Sequence, residues 1–90
     1  MLNIKILDSA KKHDLKESEI KFALENCICS KVKKNERGNE ITLCIGILPT
    51  GQTCELIFYV NKYLEHVVFH AMTPARNDFV KQVKRGKKGK

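Results

Sequence analysis

Long apolar segments, tryptophan and proline are scarce or missing in this chain of 90 residues. It has no tryptophan and two prolines, and its longest apolar stretches, 45–48 and 56–60, are far shorter than the ~20 residues that span a bilayer. The first residues also lack the apolar core of a signal peptide. The short apolar stretches and this N-terminus predict a cytoplasmic protein with no membrane partner.

Cysteine occurs four times, but without the spacing of a common zinc site. Cys27 and Cys29 form a C-x-C pair, and Cys44 and Cys54 follow at wide intervals, whereas zinc knuckles usually present C-x2-C pairs. We therefore predict no metal and no other cofactor. In a reducing cytoplasm, the four thiols are interpreted as small apolar groups.

Acidic residues are also few, since ten Asp and Glu stand against 17 Lys and Arg, and the net charge is +7. Residues 1–75 carry ten basic and nine acidic side chains, so the excess charge is almost wholly C-terminal. A basic end on a near-neutral body is typical of a segment that binds anions, and nucleic acids are common polyanions. The alternative interpretation is a solvated tail that aids solubility.

Composition predicts one globular domain, because 42% of the residues are hydrophobic and 30% are charged. We expect residues 1–84 to form this domain. Residues 85–90 are expected to be a mobile basic tail, since Gly86 and Gly89 weaken the helical tendency of that end.

Three helices are predicted. A short one at 10–13 follows the capping residues Asp8 and Ser9, and a longer amphipathic one spans 16–26. The last helix is expected to begin at Pro74 and to end near Lys84, with Thr73 as its N-cap.

The segments 40–48 and 53–60 are rich in β-branched and aromatic residues and flank a turn, which predicts a β-hairpin. A third strand is expected at 65–71, and a weaker signal at 30–34 allows a fourth. The expected fold is thus α+β, with two short N-terminal helices, an antiparallel sheet of three to four strands and a C-terminal helix.

With a two- or four-residue turn, Ile45 faces Leu56 across the hairpin. The helices would then cover one wholly apolar face and leave the other, mixed face largely open. The mixed face would gather the side chains that can do acid-base chemistry, namely Glu55, Tyr59, His66 and His70.

The expected start of the last helix places Arg76 beside His70. A helix N-terminus and a guanidinium can both bind a phosphate, and cleavage of RNA by its own 2′-hydroxyl needs a base, an acid and a cation. Glu55, His70 and Arg76 are therefore the predicted catalytic residues. Structural roles are the alternatives: a hydrogen-bonded strand histidine, a solvent-facing glutamate and a surface arginine paired with Asp78.

The order of the predicted helices and strands resembles that of small bacterial toxins of the BrnT kind, which belong to the wider RelE-like ribonuclease group. The resemblance depends on the Lys-His pair at 12–13, the Phe-His-Ala-Met segment at 69–72 and the Thr-Pro-Ala-Arg segment at 73–76. It implies a RelE-like fold and an endoribonuclease, free or ribosome-dependent, that is blocked by an antitoxin encoded beside it. It also implies that Lys12, His13 and Arg76 take part in RNA binding and cleavage.

The leading hypothesis is therefore a metal-independent endoribonuclease toxin that cleaves mRNA and has a cognate antitoxin as its partner. The alternatives are a non-catalytic nucleic-acid-binding or regulatory module, and a protein-interaction domain with an acidic partner. The residues predicted to bind RNA are Lys11, Lys12, His13, Tyr59, His66, Lys81, Lys84 and Arg85.

Overall fold

The structure is a computed structural model that describes residues 3–87. Within these residues, five β-strands form one sheet with two α-helices and a short 3₁₀ helix packed on it. In chain order the elements are β1 (Ile4–Ile6), the 3₁₀ helix (Asp8–Lys11), α1 (Glu17–Glu25), β2 (Cys27–Lys34), β3 (Glu40–Ile47), β4 (Thr53–Val60), β5 (His66–Met72) and α2 (Asn77–Lys87).

The strand order is β1-β5-β4-β3-β2, with β1 parallel to β5 and every other pair antiparallel. The class is α+β, but the predicted architecture, with two N-terminal helices, three to four antiparallel strands and a C-terminal helix, is wrong. The segment 30–34, whose weaker signal allowed a fourth strand, is part of β2, and β1 makes the sheet five-stranded. β1 has three residues and β2 is rich in lysine, and a strand that pairs on one side needs little apolar patterning.

The β3–β4 hairpin has a three-residue loop, which changes the expected pairing by one residue. Leu48 and Gln52 close it, since the Leu48 N–H donates to the Gln52 carbonyl at 2.9 Å. Gly51 takes the left-handed conformation such a loop requires, with φ of 91°. Ile45 therefore lies opposite Glu55, and the prediction that it faces Leu56 is wrong. A one-residue change moves every β4 side chain to the other face.

Helices cover both faces of the sheet, so the expected open face is also wrong. On the first face, Ile20 and Leu24 of α1 pack in a buried cluster with Leu56. On the second face, Phe79 and Val83 of α2 pack against β3. Each side chain buried in this way contributes about 1.5–3 kcal/mol of hydrophobic stabilisation.

The helix predicted over 16–26 is observed as α1. The Lys16 N–H donates to the Glu19 carboxylate at 2.8 Å, which stabilises the first turn. The helix lies very close to β3 at Gly46, where an added Cβ would lie 2.1 Å from the carbonyl oxygen of Ala23. Glycine is therefore required at this position.

A β-bulge in β5 decides which way its histidines point. Ile57 pairs with His70, but Phe58 pairs with Val68, so Phe69 is the extra residue. His70 consequently shares the second face with Ile57. His66 lies on the first face, where its ring is 5.1 Å from that of Phe58. The prediction that the two histidines share a face is therefore wrong.

The thiols divide into two groups. Cys44 and Cys54 are fully buried in the first-face cluster, which fits their interpretation as small apolar groups. Burial raises the pKa of Cys54 to about 11. Cys27 is exposed and Cys29 is half-buried, so that interpretation does not describe the C-x-C pair.

Candidate active site

The site is built around Glu55, whose side chain is fully buried between β4 and the start of α2. Its carboxylate accepts hydrogen bonds from the backbone N–H of Arg76 at 2.9 Å, and from Nε and Nη2 of the same arginine at 3.2 and 2.7 Å. The Nε2 atom of His70 lies 2.7 Å from Oε2, the oxygen that also accepts from Nη2 of Arg76. One buried acid thus holds a cation and an imidazole together.

The segment before α2 is tied to the first residue of β4. The Thr73 hydroxyl donates to the Thr53 carbonyl at 2.7 Å, and the Ala75 N–H donates to the Thr53 hydroxyl at 3.0 Å. Thr73 lies four residues before Asn77, the first residue of α2, so it is not the N-cap that the sequence predicts. The structure corrects the predicted helix start at Pro74, since α2 begins at Asn77.

Glu55 is held in its ionised form. Burial alone would raise its pKa, but the hydrogen bonds from Arg76 and His70 outweigh burial, and the pKa lies below its ordinary value. The same contact raises the pKa of Arg76. Because an ionised carboxylate only accepts hydrogen bonds, the Nε2 atom of His70 must be the donor.

This assignment leaves Nδ1 as the other ring nitrogen of His70. It makes no hydrogen bond within residues 3–87, and 22% of the side chain is exposed. The ring of His13 meets it edge-on, with 6.1 Å between the two centroids. The imidazoles of His13 and His70 are therefore in edge-to-face contact at the rim of the site.

His13 also lines an open cleft of about 680 Å³. Lys12 and Asp14 lie beside it on one wall, and the segment 72–77, which includes Arg76, forms the other wall. The Arg76 side chain is 61% exposed although two of its nitrogens bind Glu55, so its other N–H groups remain accessible to a ligand. Lysine, arginine and imidazole together suit an anionic ligand.

The structure thus brings together Glu55, His70, Arg76, Lys12 and His13 of the predicted residues. Lys11 points elsewhere, toward Glu17 at 3.0 Å, and that hydrogen bond raises the Lys11 pKa. Lys81 and Lys84 are exposed on α2, and their role in RNA binding stays a prediction.

Two predicted RNA-binding residues lie away from the cleft, and one falls outside the described side chains. Tyr59 is on the second face, beside Phe69. His66 is on the first face, and its Nδ1 is buried without a hydrogen-bond partner in residues 3–87. The side chain of Arg85, like the end of the predicted tail over 85–90, lies outside the described residues.

Sequence reasoning missed the threonine contacts and the pairing of the two imidazoles. Thr53 and Thr73 are both β-strand or turn residues in an ordinary context, and no local signal links them. The Lys-His pair at 12–13 was singled out for RNA binding, but its approach to His70 depends on the 3₁₀ helix, where Ser9 donates to the Phe69 carbonyl at 2.7 Å.

Comparison of the chain with known protein families, with curated proteins and with solved structures finds no match. No group of three or more His, Cys, Asp or Glu side chains in residues 3–87 is arranged to hold a metal ion. In the same part of the chain, no helix has both the length and the apolar composition that crossing a bilayer requires.

Proposed function

We propose that this protein is a metal-independent endoribonuclease that cleaves mRNA, acts in the cytoplasm as a toxin of the BrnT kind, and is blocked by a cognate antitoxin. One observation carries the proposal: the buried Glu55 carboxylate holds both Arg76 and His70 within 3.2 Å at the edge of a cleft that contains His13. A cation with two imidazoles is the set of groups that such cleavage needs.

The reaction follows from these positions. The free Nδ1 of His70 accepts the proton of a 2′-hydroxyl, whose oxygen attacks the adjacent phosphorus. The bond from phosphorus to the 5′-oxygen breaks, and His13 gives that oxygen a proton. The products are a 2′,3′-cyclic phosphate and a 5′-hydroxyl, so no water or other reactant enters this step.

Glu55 has a positioning role in this scheme. It is fully buried and already accepts four hydrogen bonds, so it does not exchange protons with the substrate. Its negative charge stabilises the His70 imidazolium that forms when the 2′-hydroxyl loses its proton. It also orients the Arg76 guanidinium, whose remaining N–H groups stabilise the charge that develops on the phosphate.

Cleavage of a short RNA by the purified protein tests the proposal. His70→Ala and His13→Ala should each lower the rate by about 10²–10⁴-fold, as expected when a general acid or base is lost. Lys21→Ala, on the exposed side of α1, is the matched control and should cleave at the normal rate. The products should carry 2′,3′-cyclic phosphate ends, and an RNA with 2′-deoxyribose at the cleaved position should stay intact.

Two results would overturn the proposal. One is RNA binding with no product at any pH, which would support the non-catalytic binding module. The other is a normal rate in both histidine variants. The toxin role has its own test: expression in a bacterium should stop growth, Arg76→Ala should restore it, and a protein encoded beside the gene should bind and inhibit the enzyme.

A further inference from the structure

A second cavity, of about 650 Å³, lies on the same sheet face as Glu55 but at the other end of β4. Tyr59 and Phe69 line it, with ring centroids 6.1 Å apart and planes inclined by 39°. Because Glu55 and Tyr59 are four residues apart on one strand, their side chains share a face and their Cα atoms are about 13 Å apart.

The two rings meet because of the bulge in β5. The extra residue, Phe69, points across the strand toward Tyr59. Tyr59 stays 38% exposed, so it is not part of the closed core. The bulge therefore keeps two aromatic rings together at an open cavity, where a flat ring of a ligand can stack on them.

The rest of the cavity combines apolar and hydrogen-bonding groups. Leu7 and Ile41 form apolar walls, and Asn39 and Glu40 supply an amide and a carboxylate. The side chain of Asn39 has no hydrogen bond to the described part of the chain, so it can bond to a ligand. The volume of the cavity, about 650 Å³, is that of a small-molecule pocket.

We propose that this cavity binds one unpaired nucleobase of an RNA strand whose cleaved phosphate lies at Arg76. The occupant is a base because aromatic stacking with amide and carboxylate contacts is how proteins recognise unpaired bases. It belongs to the same strand because the two sites lie on one face of the sheet about 13 Å apart, a distance that a few nucleotides span. The inference rests on the proposed function, since it places one substrate across both sites.

Binding of an RNA that cannot be cleaved tests this inference separately from catalysis. The probe is a short oligonucleotide with 2′-O-methyl groups throughout and the fluorescent base 2-aminopurine at each position in turn. Fluorescence should be quenched when 2-aminopurine occupies one particular position. Tyr59→Leu, which keeps an apolar side chain but removes the ring, should abolish that quenching and weaken binding by roughly 5- to 150-fold.

Two further variants complete the experiment. Tyr59→Phe keeps the ring and should retain affinity within about twofold. Tyr63→Ala is the matched control, because Tyr63 is 70% exposed and lies outside the cavity. Circular dichroism should show the same folded signal for every variant.

The inference is overturned if Tyr59→Leu binds and quenches like the unaltered protein, or if a protein partner occupies the cavity and RNA does not. Either result leaves cleavage by His70 and His13 intact. Conversely, if the unaltered protein shows position-specific quenching but cleaves no RNA, the proposed function is overturned and the base-binding cavity is supported.

Discussion

Arg76 binds Glu55 through two separate parts of the residue. Its backbone N–H donates to Oε1 at 2.9 Å, and its guanidinium reaches Oε1 and Oε2 at 3.2 and 2.7 Å. The first contact fixes the residue that precedes α2, and the second orients the cation of the candidate site. One carboxylate therefore determines both the packing of the helix start and the geometry of the cleft.

Glu55→Gln should weaken both the packing of the start of α2 and the geometry of the cleft. The amide keeps the size of the carboxylate, but its NH₂ group would face the N–H donors of Arg76 or His70, and buried donors would lose their acceptor. We expect the free energy of unfolding to fall by about 1–3 kcal/mol in urea denaturation at pH 7. Glu25→Gln, on the exposed surface of α1, is the control and should leave the stability unchanged. Equal stability of the two variants would contradict the structural role of Glu55.

Stability should fall in acid because the pKa of Glu55 is lowered from its ordinary 4.5 by its hydrogen bonds in the folded state. A lowered pKa means that Glu55 contributes its full stabilisation above pH 4.5 and loses it as the pH falls through the folded value. The stability difference between the unaltered protein and Glu55→Gln should therefore shrink as the pH falls below 4.5. A difference that grows in acid would show that the sign of the shift is wrong.

Arg76→Lys should lower the cleavage rate by about 10²–10³-fold although the charge is kept. Lysine is a point charge and cannot hold two carboxylate oxygens while it faces a phosphate, whereas the guanidinium has donors for both. Single-turnover cleavage at saturating enzyme measures the chemical step. Lys21→Ala again serves as the control, and a normal rate for Arg76→Lys would reduce the role of Arg76 to its charge.

Gly46→Ala should destabilise the protein strongly, because its Cβ would lie 2.1 Å from the Ala23 carbonyl oxygen and α1 would have to move. Overpacking of this kind costs about 1–3 kcal/mol, and we expect the upper end since the obstacle is backbone. Gly38→Ala is a useful comparison: it has open space but a φ of 84°, so it carries only the left-handed penalty of about 1–2 kcal/mol. Thermal or urea unfolding measures both, and an equal or smaller loss for Gly46→Ala would argue against the close contact.

Local patterns were enough to predict several elements. Ile20, Ala23 and Leu24 recur at helical spacing, and the helix is observed there. The hairpin strands were predicted because β-branched residues flank a turn, and His70 and Arg76 were placed together because β5 and the start of α2 are close in sequence. Contacts between sequence neighbours need no knowledge of the rest of the fold.

Two one-residue features were not predictable from those patterns. The three-residue loop, closed by Leu48 and Gln52, moves Glu55 to the face of Ile45, and the bulge at Phe69 separates His66 from His70. The residues around this turn give nearly the same sequence signal for a loop with an even number of residues as for a loop with an odd number. The energy that selects between them comes from packing against α1 and α2.

By itself, the sequence determined the alternation of side chains along each strand, the amphipathic face of α1 and the positive charge, because these depend on residues a few positions apart. Only the tertiary structure decided which side of the sheet each strand presents, and therefore that Glu55 is buried beneath the start of α2 with Arg76 and His70 around it. The physical reason is the period of two in a β-strand: a shift of one residue leaves the local pattern unchanged and reverses every contact.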